Sequence, residues 1–232
     1  AAHDPQAIER LVRPAQVITF KPRETLDTLI ARRQEFLGAY QDAAYAQDYR
    51  AFVERVRQAE APLGKTLLAE SVARNLFRLM AYKDEYEVAR LYSDGRFEAE
   101  KNGTFKGGKA KVWLAPPIIA PKDANGRPKK IAFGGWMLDL GFPMLAKLKG
   151  LRGTGFDLFG YSEERKMERG LIAAYEAGID KLLAGLSAEK MPLAVQIAQV
   201  PQQIRGYGHI KEASVTKATA QETTLWAQWA LT

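Results

Sequence analysis

The sequence predicts a mostly α-helical (α+β) domain that carries one small antiparallel β-hairpin or meander around residues 97–134. Three observations lead there. Apolar residues recur at three- and four-residue spacing over runs such as 24–60 and 162–186, the period of a helix with one buried face. Between those runs, Pro116-Pro117 and the turn signal Asp123-Ala-Asn-Gly-Arg-Pro128 break the chain into short pieces, because proline does not sit in the middle of a central strand. The composition, 47% hydrophobic and 26% charged over 232 residues, is that of an ordinary globular chain with material for a large core.

Taken in order, residues 1–22 read as an arm, with Val12, Val17, Ile18 and Phe20 extended and Pro14 and Pro22 limiting any helix. Residues 23–232 read as a single mostly helical domain with a basic β insertion at about 97–134. Leu26, Leu29, Ile30, Leu37 and Tyr40, continued by Tyr45, Tyr49, Phe52, Val53 and Val56, predict one long helix to Glu60 or two with a bend near Asp42. A second helix is expected from Lys65 to Tyr92, with the stripe Leu68, Val72, Leu76, Leu79 and Met80. In it, Lys83 and Glu87, and likewise Tyr82 and Tyr86, are four apart and share a face. Ser93-Asp94-Gly95 stops it. Lys111–Ile119 and Lys129–Phe133 are the strand candidates.

Trp136–Lys149 predicts a helix interrupted or started late at Pro143. The joint that follows contains Gly150, Gly153, Gly155 and Gly160, where backbone angles closed to other residues are open. Leu158, Phe159 and Tyr161 are expected to turn inward, and Ser162 to cap a helix with Glu163 and Glu164 in its first turn. That helix reaches Leu186, Met191–Val200 forms a shorter one ended by Pro201, Arg205–Lys211 is a second glycine-rich turn, and a last helix runs from about Glu212 to Trp229.

Cysteine is absent, which excludes disulfides, thiolate zinc and iron–sulfur ligation within this chain, and His3 and His209 are too few for an imidazole metal cluster. The absence is compatible with the cytoplasm, which is the expected location. No run approaches the ~20 apolar residues a membrane helix needs. The first residues lack both signal-peptide character and an initiator Met, so a processed or excised segment is expected.

The net charge is +7, and from Lys101 to Lys130 eight basic residues stand against Asp123 alone. A local field of that kind can steer acidic or phosphate-bearing partners, while a solvated hairpin kept soluble by lysines is the plainer explanation. Lys122, Arg127, Lys129 and Lys130 form the candidate basic patch. Lysines interleaved with Phe105, Trp113 and Phe133 also fit a nucleic-acid platform, although no named nucleic-acid fold matches.

Glu164 and Glu168, and the group Asp84, Glu85 and Glu87, are the paired carboxylates. A helical di-metal site needs Glu-x-x-His partners, which are missing, so pairing with Arg165, Lys166, Arg169, Lys83 and Arg90 is expected. His209 reads as a turn histidine bonded to backbone. Gly150-x-x-Gly153-x-Gly155 is neither a P-loop nor a dinucleotide fingerprint.

Several strings carry a family resemblance: Ala39-Tyr-Gln-Asp-Ala-Ala-Tyr45, Ala73 through Tyr92, Leu114-Ala-Pro-Pro117, Leu145 through Arg169, and Ile204-Arg-Gly-Tyr-Gly-His-Ile-Lys211. Over residues 24–217 the chain resembles the C-terminal region, of undefined function, of the fused bacterial indolepyruvate ferredoxin oxidoreductases. The resemblance implies a parent enzyme that oxidatively decarboxylates an aryl 2-oxoacid to an acyl-CoA. Thiamine diphosphate and iron–sulfur clusters would be its cofactors and ferredoxin its electron acceptor. Neither the Gly-Asp-Gly motif of thiamine enzymes nor any cluster cysteine is present, so no catalytic residue and no cofactor is assigned to this segment. The expected role is interdomain packing or homo-oligomer assembly. The alternatives are a basic dock for ferredoxin or coenzyme A and an independent nucleic-acid binder.

Overall fold

A computed structural model of the chain describes residues 24–104, 110–114, 120–121 and 129–232. The arm proposed for residues 1–22 lies outside them, as do Lys122 and Arg127. Among the described residues there are nine α-helices and one two-stranded antiparallel sheet, so the mostly α class with a small hairpin is observed.

The first pair is α1 (Leu26–Tyr40) and α2 (Ala43–Glu60), and the bend falls at Asp42, whose side chain caps α2 by accepting from Tyr45 N at 2.8 Å. A short 3-10 turn over Ala61–Leu63 leads to α3 (Leu67–Met80). Its N-terminus is held by an unusual cap: Glu60, fully buried, accepts from Leu68 N at 2.8 Å and Ala69 N at 2.9 Å. A carboxylate that satisfies two orphan amides at a helix N-terminus also favours the helix dipole.

The helix expected from Lys65 to Tyr92 is in fact two. α3 ends at Met80, and α4 spans Glu85–Ser93 with Asp84 as its N-cap, accepting from Glu87 N at 2.8 Å. Tyr82 and Lys83 therefore sit in the break, and the expected Lys83–Glu87 pair does not form; Glu87 takes Arg90 instead, through two bonds at 2.7 and 2.8 Å. The apolar spacing ran continuously through the break because Tyr82 and Tyr86 are both buried there. The stop at Ser93-Asp94-Gly95 is found, Gly95 adopting φ +86°, but the chain re-enters a helix, α5 (Arg96–Thr104). The β insertion is thus smaller than 97–134: β1 (Lys111–Leu114) pairs with β2 (Ile131–Gly134), Lys111 opposite Gly134.

After a π-helical turn over Met137–Gly141, α6 (Phe142–Lys147) begins with Pro143 in its first turn, where a missing N–H costs nothing. The glycine-rich joint follows, then α7 (Glu163–Ala184) capped by Ser162 as expected, α8 (Met191–Gln199) and α9 (His209–Leu231). The main core is built from α1, α2, α3, α7, α8 and α9. Its tyrosines are buried because each hydroxyl reaches a backbone carbonyl: Tyr40 on Tyr82, Tyr49 on Ala73 and Tyr175 on Ala198, at 2.8–2.9 Å. A second, smaller cluster joins Ala89 of α4, Val112 of β1 and Phe142 of α6, with Tyr92, Leu114, Phe133, Met137 and Leu145 packed on it.

Candidate functional site

The joint between α6 and α7 is fixed by two buried charged residues. Arg152 clamps Asp84 with Nε–Oδ2 at 2.5 Å and a second bond at 2.9 Å, donates to the Tyr40 carbonyl at 2.8 Å, and lies 3.7 Å over the Tyr40 ring. Burial opposes its charge, but the Asp84 bond and the carboxylate field outweigh that and raise its pKa. Lys149 adds a bond to the Ala39 carbonyl at 2.6 Å, occupying one of the C-terminal acceptors of α1. Asp157, also buried, accepts from Gly153 N at 2.8 Å, Gly160 N at 3.0 Å and Tyr86 OH at 3.2 Å. The loop backbone is consequently tied to α1 and α4 at both ends.

Its apolar side chains do something else. Of the three residues expected to turn inward, only Phe159 packs, edge-on to Tyr86 at 5.3 Å. Leu158 is 73% exposed and Tyr161 62%, and Phe156 is 79% exposed. The expectation fails because Arg152 and Asp157, not the apolar side chains, supply the loop's buried anchors. Tyr207, on the second glycine-rich turn, and Ile210, in the first turn of α9, are exposed as well; the helix starts at His209 and not near Glu212, so the turn is shorter than Arg205–Lys211, and it meets the start of α7 where Gly208 N donates to Glu164 Oε1 at 3.1 Å. His209 opens α9 with an exposed ring.

Between the second cluster and the start of α7 lies a cleft of about 560 Å³. Val88 and Tyr92 of α4, Leu114 and Phe133 of the sheet, and Met137, Phe142 and Leu145 from the α6 region form its apolar wall. Its polar lining is Lys83, Asp84, Glu85, Lys130, Glu164 and Arg165, and Trp113, Phe159 and Tyr207 add three more rings. Such a volume, largely apolar with a few polar groups, is typical of small-molecule sites.

Most of the charge in that lining is committed. Arg165 pairs with Glu168, reaches Glu164 at 3.3 Å and faces Glu85 at 3.9 Å, while Lys211 pairs with the other side of Glu168. Burial pushes the Glu85 and Glu168 carboxyls up, against the pull of Arg165 on both. Glu85 Oε2 and Arg165 Nε are buried with no hydrogen-bond partner among the described residues. The pairing expected for Glu164 and Glu168 with neighbouring basic groups is therefore present, through Arg165 and, unforeseen, Lys211 from α9.

The basic patch is divided. Lys129 and Lys130 are exposed just before β2, and Lys130 lines the cleft; Lys122 and Arg127 fall outside the described residues. Lys101 is on α5 and pairs with Glu98 at 2.5 Å. Lys83, expected from its spacing to pair with Glu87, is instead the second exposed cation on the cleft. No three carboxylate or imidazole groups converge at a metal-holding arrangement among the described residues, and no helix among them is long and apolar enough to cross a membrane.

Residues 26–224 match the model of a family of unknown function, DUF6537. No curated protein and no solved structure matches the chain.

Proposed function

Because this chain belongs to the DUF6537 family, whose function is unknown, we propose its role from its surface and its family-like strings: a non-catalytic assembly domain of a larger enzyme. The enzyme we propose is a cytoplasmic indolepyruvate-type 2-oxoacid:ferredoxin oxidoreductase, whose thiamine diphosphate and iron–sulfur clusters would be held elsewhere in the assembly. One observation carries the assembly role. The glycine-rich joint is anchored from within by Arg152 and Asp157, yet it presents Phe156, Leu158 and Tyr161 to solvent. A firmly held loop with outward apolar side chains is built to be covered by another surface. That surface would belong to another domain of the same enzyme or to a second copy of it.

The test is the double substitution Phe156→Ser, Leu158→Ser in the full parent enzyme. Both side chains are exposed, so the melting temperature of the domain should hold within about 2 °C, in keeping with surface substitutions of under ~0.5 kcal/mol. Sedimentation velocity should show a weakened assembly, with turnover falling in parallel. An assembly and turnover equal to the unaltered enzyme would refute the role.

A second reading has its own observation. Lys129 and Lys130 are consecutive and exposed, and Lys130 lines the cleft, which supports a dock for acidic ferredoxin or for the phosphates of coenzyme A.

A further inference from the structure

From Trp136 to Leu151 the chain is continuously helical: the π-helical turn over Met137–Gly141, then α6, then a 3-10 turn over Leu148–Leu151. One side of this stretch is spent inward, where Phe142 is buried and Met137, Leu138, Leu145 and Ala146 pack on the second cluster. The outward side is apolar as well. Trp136, Leu140, Met144 and Leu148 follow one another at four-residue intervals, so they share a face, and they are 69%, 58%, 59% and 49% exposed. A surface helix ordinarily turns polar residues that way. Exposed apolar residues scattered singly need no explanation, but four in register along one helix face mark a surface that is covered.

The charge around that face decides what covers it. From Lys129 to Leu151 four lysines stand against Asp139 alone. Lys147, three positions beyond Met144 in α6, is exposed, as are Lys129 and Lys130 where the chain enters β2, the strand that leads into the stretch. Lys149 is committed to the end of α1. A second copy packed face to face would bring like charges together, which opposes self-association. Tryptophan and leucine on one face with lysine beside them is the chemistry of a helix that lies in a lipid–water interface.

We infer that the face of Trp136, Leu140, Met144 and Leu148 docks on an anionic lipid surface, the apolar side chains entering the acyl boundary and the exposed lysines meeting headgroup phosphates. The inner side of the helix stays packed on the second cluster, so the stretch lies flat against the bilayer. Docking of this kind requires no spanning helix, and none among the described residues is long and apolar enough to be one. The inference is independent of the assembly role, which rests on Phe156, Leu158 and Tyr161.

Flotation of this chain with vesicles of phosphatidylcholine and phosphatidylglycerol, and separately with vesicles of phosphatidylcholine alone, tests it. Binding to the anionic vesicles should be about tenfold stronger at low salt, and the difference should shrink as salt rises. The double variant Leu140→Gln, Met144→Gln should weaken binding to the anionic vesicles about tenfold. Leu67→Gln, at a leucine 48% exposed at the start of α3, should leave it unchanged. Lys129→Glu, Lys147→Glu should abolish the preference for anionic lipid. Every altered side chain is exposed, so the circular dichroism spectra should match that of the unaltered chain. Equal binding to both kinds of vesicle, no binding to either, or binding that survives the Leu140 and Met144 changes would overturn the inference. So would a dimer in sedimentation velocity that those two changes dissolve, because the covering surface would then be a second copy.

Discussion

Asp84 serves two masters. Its Oδ1 accepts from Glu87 N at 2.8 Å, starting α4, and both its oxygens take the guanidinium of Arg152 from the joint. The two roles can be separated, because asparagine caps a helix about as well as aspartate but carries no charge. Asp84→Asn should therefore leave α4 in place and strand a buried Arg152, costing about 3 kcal/mol by chemical denaturation, the range for a buried pair deprived of one partner. A loss under about 0.5 kcal/mol would mean that the pair contributes nothing to the fold. Glu176 on α7 poses the opposite case. Burial first, then Asp180 and Asp48, raise its pKa, and Arg55, which itself binds Asp180 at 2.5 Å, only partly opposes them. A carboxyl whose folded pKa lies above its unfolded value destabilises the fold while ionised, and that cost disappears as pH falls through the raised value. Glu176→Gln should accordingly raise the melting temperature at pH 7–8 and have no effect near pH 4; an equal effect at both pH values would exclude titration as the cause.

At the scale of elements, the joint between α6 and α7 shows which glycines matter. Gly160 lies so close to Asp157 that an added Cβ would sit 2.7 Å from its Cγ and 3.2 Å from an Arg169 nitrogen, displacing the acid that holds Gly153 N and Tyr86 OH. Gly153 needs φ +76°. Gly150 and Gly155 have neither a positive φ nor an atom within 4 Å of a built Cβ. Gly160→Ala should cost about 2 kcal/mol, as overpacking of a fixed site does, whereas Gly150→Ala should be neutral or slightly stabilising. Equal melting temperatures for the two variants would contradict the anchoring role of Asp157. The sequence pattern treats these glycines alike, because glycine content reports freedom and not which carboxylate sits opposite. Helix periodicity, by contrast, was a sound guide for α1, α2 and α7, whose stripes face the core, and it predicted the bend at Asp42 as one of two options. It failed at the α3–α4 break, where Tyr82 and Tyr86 stay buried although the backbone leaves the helix between them. The cue was available in Asp84, an N-cap residue followed three positions later by Glu87, the pattern of a capping box inside an apolar run.

Across the whole molecule, the division of labour is between a large helical core and a smaller aromatic cluster that carries the cleft. The class was readable because core packing leaves a period in the chain. The cleft was not, because its lining is assembled from α4, the sheet, the α6 region and the start of α7, pieces far apart in sequence that only the topology brings together. Lys130 entered the basic patch for its neighbours in sequence, and only the fold places it on the lining of a cleft. The outward Phe156 and Leu158 were hidden for the reverse reason: an apolar loop reads as core until its real anchors are known.

The clamp of Arg152 also has a consequence in time. It closes on the Tyr40 carbonyl across 112 residues of chain and on Asp84 across 68. On a ribosome, α1 and the start of α4 would emerge long before their partner. Asp84 would wait as a solvated charge, and the end of α1 would lack the cations that later cover its carbonyls. Contacts of such long separation demand loop closure before they give anything back, and so they form late. The joint should therefore close late, once the end of α1 and the start of α4 are held where Arg152 can reach both.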